Sequence, residues 1–510
     1  MAPRGVARYQ GAMAAVPVSR VHALNRAPER PRSEFVLYWM TAARRVEDSF
    51  ALQRAVEHAA RLGRPLVILE ALRVGYRWAS VRHHRFVLQG MLQNQAALAG
   101  SPATYLPYVE PAPGAGRGLL AALAARAAVV VTDDYPCFFL PRMAQAAAAR
   151  LDVRVEAVDG SGLYPMRLAG KVFARAFDFR RHLQRNLGRH LLEAPDPAPL
   201  AQARLPELAD LPAGLSARWP APSEALLAGA PSALAALPID QAVGPAAMDG
   251  GAGPALARWA RFLSEGLARY ADERSHPDAA DASSGLSPWL HFGHVSVHRL
   301  FRDVAAAEGW APHRLGSGTS GAKEGWWGMS PAAEAFLDEL VTWRELGFNM
   351  CSHAADYDRF EALPDWARRT MAEHADDPRP HRYDLATLEA ARTHDPLWNA
   401  AQRELVAEGR MHNYMRMLWG KKVYEWSRSG AEALETLIHL NNKYAVDGRD
   451  PNSYAGICWV LGRYDRAWGP ERPIFGKLRY MSSENTRRKL HLDRYLARHG
   501  AQPGLLAEGP

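Results

Sequence analysis

Phe35-Val36-Leu37-Tyr38-Trp39-Met40 is an unbroken apolar and aromatic run, and its reading decides the fold of the first part of the chain. Six such residues without polar alternation fit a strand buried on both faces, as in a parallel sheet covered by helices. Working outward, Ser49 to Leu62 carries apolar residues at helical spacing, and Pro65-Leu66-Val67-Ile68-Leu69 is a second buried strand. Ala128 to Asp134 and Val153 to Val158 supply a third and a fourth. Strand–helix–strand alternation predicts an α/β N-terminal domain with an open, parallel, Rossmann-like sheet over residues 34–190. No Gly-x-Gly-x-x-Gly follows the first strand, so an ordinary dinucleotide site is not expected there.

Residues 191–254 are rich in Ala, Pro, Leu and Gly and read as a long linker with short helices. Residues 255–510 read as an all-helical domain, with helices over 255–272, 297–308, 331–350, 385–391, 396–408, 413–428 and 431–444. Residues 1–33 lack the continuous apolar core of a secretory signal and read as a disordered tail.

Composition narrows the class. The formal net charge is +8 and the pI is about 9.4, a balance that weakly favours an anionic partner such as nucleic acid. Three cysteines, none in a Cys-x-x-Cys pair, point to a reducing, cytoplasmic setting with no disulfide framework and no cysteine-based zinc site. No apolar run is long enough to span a membrane. Of 15 tryptophans only Trp39, Trp78 and Trp219 precede residue 255, which separates two kinds of core.

Several motifs are set aside. Gly316 to Gly321 resembles a phosphate loop but lacks the Gly-Lys-Ser/Thr ending and a preceding strand. His291 with His294, and His83 with His84, have no supporting carboxylate set and read as satisfied core histidines; no metal is expected.

Other segments carry chemistry. Ser283-Ser284-Gly285-Leu286-Ser287 precedes a Pro-initiated helix, where free backbone N–H groups receive a phosphate. Glu339 and Trp343 stand four apart on one helix face, a carboxylate beside an aromatic plate. His412, Arg416, Trp419, Val423 and Trp426 fall on one helical stripe, and an arginine inside such a stripe needs an anionic partner. The polar segment Asp447 to Ser453 reads as a loop running into small residues and then Trp459.

The phrases HDPLWNA (394–400), MHNYMRMLWGKK (411–422), DGRDPNSYAG (447–456), YDRAWG (464–469) and GKLRYMS (476–482) resemble the class II cyclobutane pyrimidine dimer photolyases of the photolyase/cryptochrome superfamily. The early segments ALN (23–25) and LYWM (37–40) fit the same class, and the resemblance covers roughly Val21 to Tyr495. It implies a helical FAD-binding catalytic domain with FAD reduced and anionic in the active form. It also implies light-driven electron transfer to a dimer flipped out of UV-damaged DNA, by a monomer. An antenna pigment in the N-terminal domain, a deazaflavin or a folate, is allowed without being fixed.

Carried over residue by residue, the resemblance matches Glu339 to the acid that hydrogen-bonds the dimer. It matches Trp343 and Trp459 to the walls around the flipped bases, and Met417 to a residue packing on them. Asn441 matches the asparagine near flavin N5. Tyr270, Ser283, Ser284, Gly285, Leu286, Ser287, Arg416, Asp447 and Asp450 match the FAD-binding set. Trp419, Trp398 and Trp426, with Tyr383 as a further donor, match an electron relay. Asp465 and Arg466 match a class-specific polar pair. Arg472, Lys477, Arg479, Arg487, Arg488 and Lys489 are candidate DNA contacts. Two sister activities share this ancestry. Retention of Glu339, Trp343 and Trp459 speaks against a signalling cryptochrome, and no histidine pair can be placed for repair of the (6-4) photoproduct.

Overall fold

The computed structural model describes residues 15–500. Phe35–Met40 (β2) forms the central strand of a six-stranded sheet ordered β1-β6-β5-β2-β3-β4. The others are Val21–Ala23 (β1), Leu66–Leu72 (β3), Ala103–Val109 (β4), Ala127–Asp133 (β5) and Val155–Val158 (β6). All pairings are parallel except β1 with β6. Alternate residues of β2 enter different cores. Val36, Tyr38 and Met40 pack with Phe50 and Leu52 of the helix Phe50–Leu62. Phe35, Leu37 and Trp39 pack with Leu119, Leu123 and Trp219 on the other face. Burial on both faces is why no polar alternation marks this strand.

Sequence reasoning missed two strands. β4 contains Pro107, which argues against a central strand, and it lies at the sheet edge where proline is tolerated. β1 falls in the stretch read as a disordered tail, and that reading is wrong from Val18 onward. Arg20 is buried and donates to the carbonyls of Gly162 at 3.0 Å and Leu163 at 2.7 Å. The Asn25 amide donates to the carbonyls of Ala148, Leu151 and Val153. Long-range polar bonds of this kind leave no local pattern. Residues 1–14 of that expected tail lie outside the described residues.

In residues 191–254 the short helices Leu215–Arg218, Glu224–Leu227 and Pro231–Ala235 lie over the sheet domain. Leu227, Leu234 and Leu237 pack on Val87, Leu88 and Met91 of the helix Val81–Leu98. Beyond residue 250 the described chain is helical, with two interruptions absent from the expected pattern. The segment expected as one helix over 255–272 passes from Ala252–Arg261 through a π turn at Phe262–Gly266. The segment over 331–350 consists of Pro331–Leu337, a π turn Asp338–Trp343 and Arg344–His353. The polar segment read as a loop becomes the helix Pro451–Val460, because the Asp450 carboxylate caps it by accepting from Asn452 N at 2.8 Å. Helix Arg344–His353 packs along Pro451–Val460, which brings the second π turn and the Asp447–Asp450 segment to one cavity.

Two cavities among the described residues are large enough to hold a ligand. One of about 370 Å³ lies outside the carboxyl ends of β2, β3 and β4, walled by Trp39, Tyr76, Tyr108, Phe138, Phe139 and Arg449. This is the crevice where open α/β sheets bind ligands. The other, of about 540 Å³, lies wholly within the helical half. No helix among the described residues is long and apolar enough to cross a membrane.

Candidate active site

The larger cavity gathers residues far apart in sequence. Tyr270, Ser283, Ser284, Gly285, Leu286, Ser287, Glu339, Trp343, Arg416, Met417, Asp447, Asp450 and Trp459 all line it. Asn441, Arg479 and the four expected relay residues do not.

One end is the serine segment. Arg258 claims the carbonyls of Ser284 at 2.8 Å and Ser283 at 2.6 Å, which fixes the course of this loop. Gly285 turns it with φ +64°, and a Cβ there would press on the Arg410 guanidinium at 3.2 Å. A larger residue would strain this left-handed turn and have to push the Arg410 guanidinium aside.

A second wall is the π turn. Asp338 is gripped by Arg180 through two bonds of 2.7 and 2.9 Å, both residues being buried. This fork–fork pair sets the turn that presents its neighbours Glu339 and Trp343. A π turn inserts one extra residue and re-aims the side chains it carries. Glu339 forms a very short ion pair with Arg274, whose guanidinium lies 5.4 Å from the Tyr270 ring centre. Burial opposes the charge on Arg274, but Glu339 and Tyr270 outweigh it and hold its pKa up. Burial and the adjacent Glu339 push the Tyr270 phenol up, so it stays neutral.

Trp459, also on the cavity wall, has two basic groups close to its ring. Lys421 Nζ lies 5.4 Å and the Arg479 guanidinium 5.6 Å from its ring centre. Lys421 is fully buried, donates to Val460 O at 2.5 Å, and is lowered by burial to about 7. Asp465 of the polar pair is the opposing charge that holds it up, and the Asp465 carboxylate also accepts from Trp468 Nε1 at 3.1 Å.

The floor is the Asp447–Ser453 segment. Arg416 approaches Asp447 at 3.4 Å. Asp450, besides capping its helix, accepts from the Tyr135 hydroxyl at 2.9 Å and lies 3.4 Å from His291 Nδ1. Its carboxylate is thus committed to protein partners, which ties the cavity floor to the sheet domain. Burial works against that charge, and His291 and Arg344 overcome it, holding Asp450 below the usual carboxylate range. Asn441 sits one layer behind and donates to Ser453 Oγ at 3.1 Å. Ser453, which lines the cavity, donates in turn to Asp447 O.

His412 contributes its ring to the wall, but both nitrogens are engaged: Nδ1 with Tyr414 N at 3.3 Å and Nε2 with Arg274 O at 3.1 Å. Burial lowers it to about 4. Glu404, accepting from the Tyr495 hydroxyl at 2.7 Å, is raised by burial to about 7.

Behind the cavity the tryptophan stripe forms a continuous aromatic file. Trp419 and Trp398 lie parallel with ring centres 6.5 Å apart, Trp398 and Trp426 5.3 Å apart, and Trp426 and Tyr383 5.2 Å apart. The three indoles are buried and Tyr383 is half-buried. Outside, Arg472, Lys477, Arg487, Arg488 and Lys489 are exposed on the segment after Trp468, and Arg479 lies partly buried against Trp468.

The histidines set aside as core are engaged: His83 bonds Ser80 and Ala445, and His84 bonds Ser80 O and Arg73 O. His294 accepts from Gly251 N at Nδ1, but its buried Nε2 has no hydrogen-bond partner, so this histidine is only half satisfied. Sequence reasoning missed Arg274 and Arg410 as parts of the cavity, and Lys421 as a buried amine behind Trp459. Arg274 pairs with a residue 65 positions away, and no local pattern announces that.

The sheet domain, the helical half and this cavity together define the photolyase/cryptochrome class. A class III photolyase from Agrobacterium tumefaciens superposes with a TM-score of 0.61 at 18% identity, over 92% of this chain and 86% of that one. A cryptochrome from Synechocystis sp. PCC6803 superposes with a TM-score of 0.65 at 16% identity, over 91% and 88%. These likenesses speak to the fold. Sequence relatives are nearer. The deoxyribodipyrimidine photo-lyase of Methanothermobacter thermautotrophicus is 33% identical, over 94% of this chain and 97% of the relative. Those of Oryza sativa and Potorous tridactylus are 34% and 32% identical, over 94% and 90% of this chain and 90% and 80% of the relatives. No family model matches the chain. The chain belongs to the deoxyribodipyrimidine photo-lyases, a family of carbon–carbon lyases, and its motifs are those of the class II members.

Proposed function

We propose that the larger cavity holds FAD and that the chain uses it, under light, to split cyclobutane pyrimidine dimers in DNA. The observation that carries this reading is that Glu339, Trp343 and Trp459 line the same cavity as the Ser283–Ser287 segment.

The residues present fit the cofactor. The Gly285 cradle beside Arg410, with three serine hydroxyls, has the donors a diphosphate needs. Arg416 and Asp447 would line the isoalloxazine and ribose, with Asn441 acting through Ser453 and Asp450 fixing the floor. Reduced, anionic FAD bound there supplies an energetic electron when it absorbs light.

The protein's part is to receive the lesion and steady its charge. Trp343 and Trp459 stack the flipped bases, and Met417 packs against them. Glu339 holds Arg274, a fixed cation, beside the dimer carbonyls where negative charge develops, and donates to those carbonyls itself when its carboxyl carries a proton. The file Trp419–Trp398–Trp426–Tyr383 carries electrons inward to restore the reduced cofactor. The basic segment around Arg472–Lys489 contacts phosphates. The smaller cavity, aromatic-walled and at the switch point of the sheet, is the place for an antenna pigment. Repair of (6-4) lesions is disfavoured, because His412 has both nitrogens engaged and is neutral far below physiological pH.

The test is conversion of a defined thymine-dimer oligonucleotide by purified, reduced protein in blue light and in the dark. The reading expects thymines restored in light only. Flavin that binds and photoreduces with no repair would overturn it in favour of a photoreceptor.

A further inference from the structure

The aromatic file ends at Tyr383, and that end is built for more than electron transfer. The Tyr383 oxygen lies 2.6 Å from His394 Nδ1, to which its hydroxyl donates when the ring carries its proton on Nε2, and it accepts from the His394 backbone N–H at 3.0 Å. The His381 ring stacks on His394 with centres 3.7 Å apart and planes at 21°. His394 also meets the Trp426 ring, with centres 5.5 Å apart. A phenol that loses an electron while keeping its proton becomes a very strong acid. Electron loss from Tyr383 is therefore favourable only if an acceptor takes the proton at the same moment.

We propose that His394 is that acceptor, so that Tyr383 and His394 form a proton-coupled terminus to the electron path. The proposal rests on the relay reading above. In the step, Trp426, oxidised to its radical cation, takes one electron from Tyr383. The phenolic O–H bond breaks and its proton forms an N–H bond at His394 Nδ1. The products are neutral Trp426, a neutral tyrosyl radical and an imidazolium. The primary oxidant is photoexcited, oxidised flavin at the cavity end of the file, one electron per photon.

The surroundings keep the acceptor available. The groups facing His394 are His381, Asp395, Lys422 and Glu425. The Asp395 carboxylate is already spent on Leu397 N, Trp398 N and Ser483, and Lys422 is paired with Glu425 at 2.8 Å. Partial burial and the neighbouring His381 lower the His394 pKa, which leaves it neutral at physiological pH. The ring is exposed, so water solvates the imidazolium once formed. Back transfer then requires the proton to return, which traps the separated charge.

Flash photolysis of the holoenzyme with oxidised FAD tests this by following tryptophan and tyrosyl radical absorption. Wild type should pass from a tryptophan to a tyrosyl radical, with the step slowed about twofold or more in D2O and lost as falling pH protonates His394. His394→Phe should leave the tryptophan radical to recombine and cut the yield of stably reduced flavin by about tenfold. Added imidazole should restore the tyrosyl signal in His394→Gly. A merely structural histidine would give neither the isotope effect nor the rescue. A tyrosyl radical formed equally fast in His394→Phe overturns the proposal alone. A wild type with no tryptophan radical overturns the proposal together with the relay reading beneath it.

Discussion

The cavity and the tryptophan file share one helix, Asn413–Trp426, yet they are built on opposite terms. Arg416 and Met417 belong to the cavity, whose walls are half-open and crowded with charge. Trp419 and Trp426 belong to a buried stack in which two of the three indoles are settled locally. Trp398 Nε1 donates to Trp419 O at 3.0 Å and Trp419 Nε1 to Gln402 Oε1 at 2.9 Å. Binding an anionic cofactor and a charged lesion needs unspent donors at a surface a ligand can reach. Moving an electron needs fixed rings at short spacing, with no water to reorganise. The difference teaches that a single helix can serve both because its first turns line the cavity and its later turns carry the stack.

That division can be stressed from either side. Arg180→Ala should have the largest effect. It leaves Asp338 as an unpaired buried charge, and equilibrium denaturation should show a loss of about 3–5 kcal/mol. The damage should fall on the π turn, so dimer affinity should drop while the ring stacking of the file is retained. A near-neutral result would show that Glu339 and Trp343 are placed by something else.

Next comes pH. Glu404, on the cavity wall, has a folded pKa of about 7 against about 4.5 unfolded, so folding takes up a proton. Its stabilising share is complete below the unfolded value and is lost as pH rises through 7. Glu345, buried behind the π turn with the N–H groups of Leu163 and Tyr164 on its carboxylate, behaves the same way. Glu404→Gln should remove about 2 kcal/mol of the decline in unfolding free energy between about pH 5 and pH 8. An unchanged profile would place the proton elsewhere.

Glu339→Gln introduces a neutral hydrogen-bond donor but loses the acid and the ion-pair partner of Arg274. Repair per absorbed photon should fall by about tenfold with FAD still bound and light-driven flavin reduction intact. Loss of FAD from this variant would contradict the role assigned to Glu339. The smallest effect belongs to the outer rim. Replacing Arg487, Arg488 and Lys489 by Ala should weaken DNA binding a few-fold and lower its salt dependence by about one unit of slope per true contact. Cavity and file should both be untouched.

Much of this architecture was legible because it is written in local runs. β2 and β3 are continuous apolar stretches, and the cavity residues sit in long motifs. What was not legible depends on distant partners. β1 has three residues, and the order around it comes from Arg20 and Asn25 reaching across the sheet. The π turn is held by Arg180, 158 positions from Asp338, while its own sequence reads as plain helix. The helix after Asp450 is a different miss: Asp-Pro at its start is an N-cap signal that polarity obscured. Asn441 stands one layer from where its motif alone would set it, because Ser453 fills the nearer position.

The measurement that tests the division most directly uses Trp398→Phe, at the centre of the file. Two samples of the variant are illuminated with dimer-containing DNA, one oxidised at the start and one reduced chemically beforehand. The account predicts that the oxidised sample stays oxidised and repairs nothing, while the reduced sample repairs at close to the wild-type rate. Full photoreduction of the oxidised sample, or loss of repair in the reduced one, would contradict it.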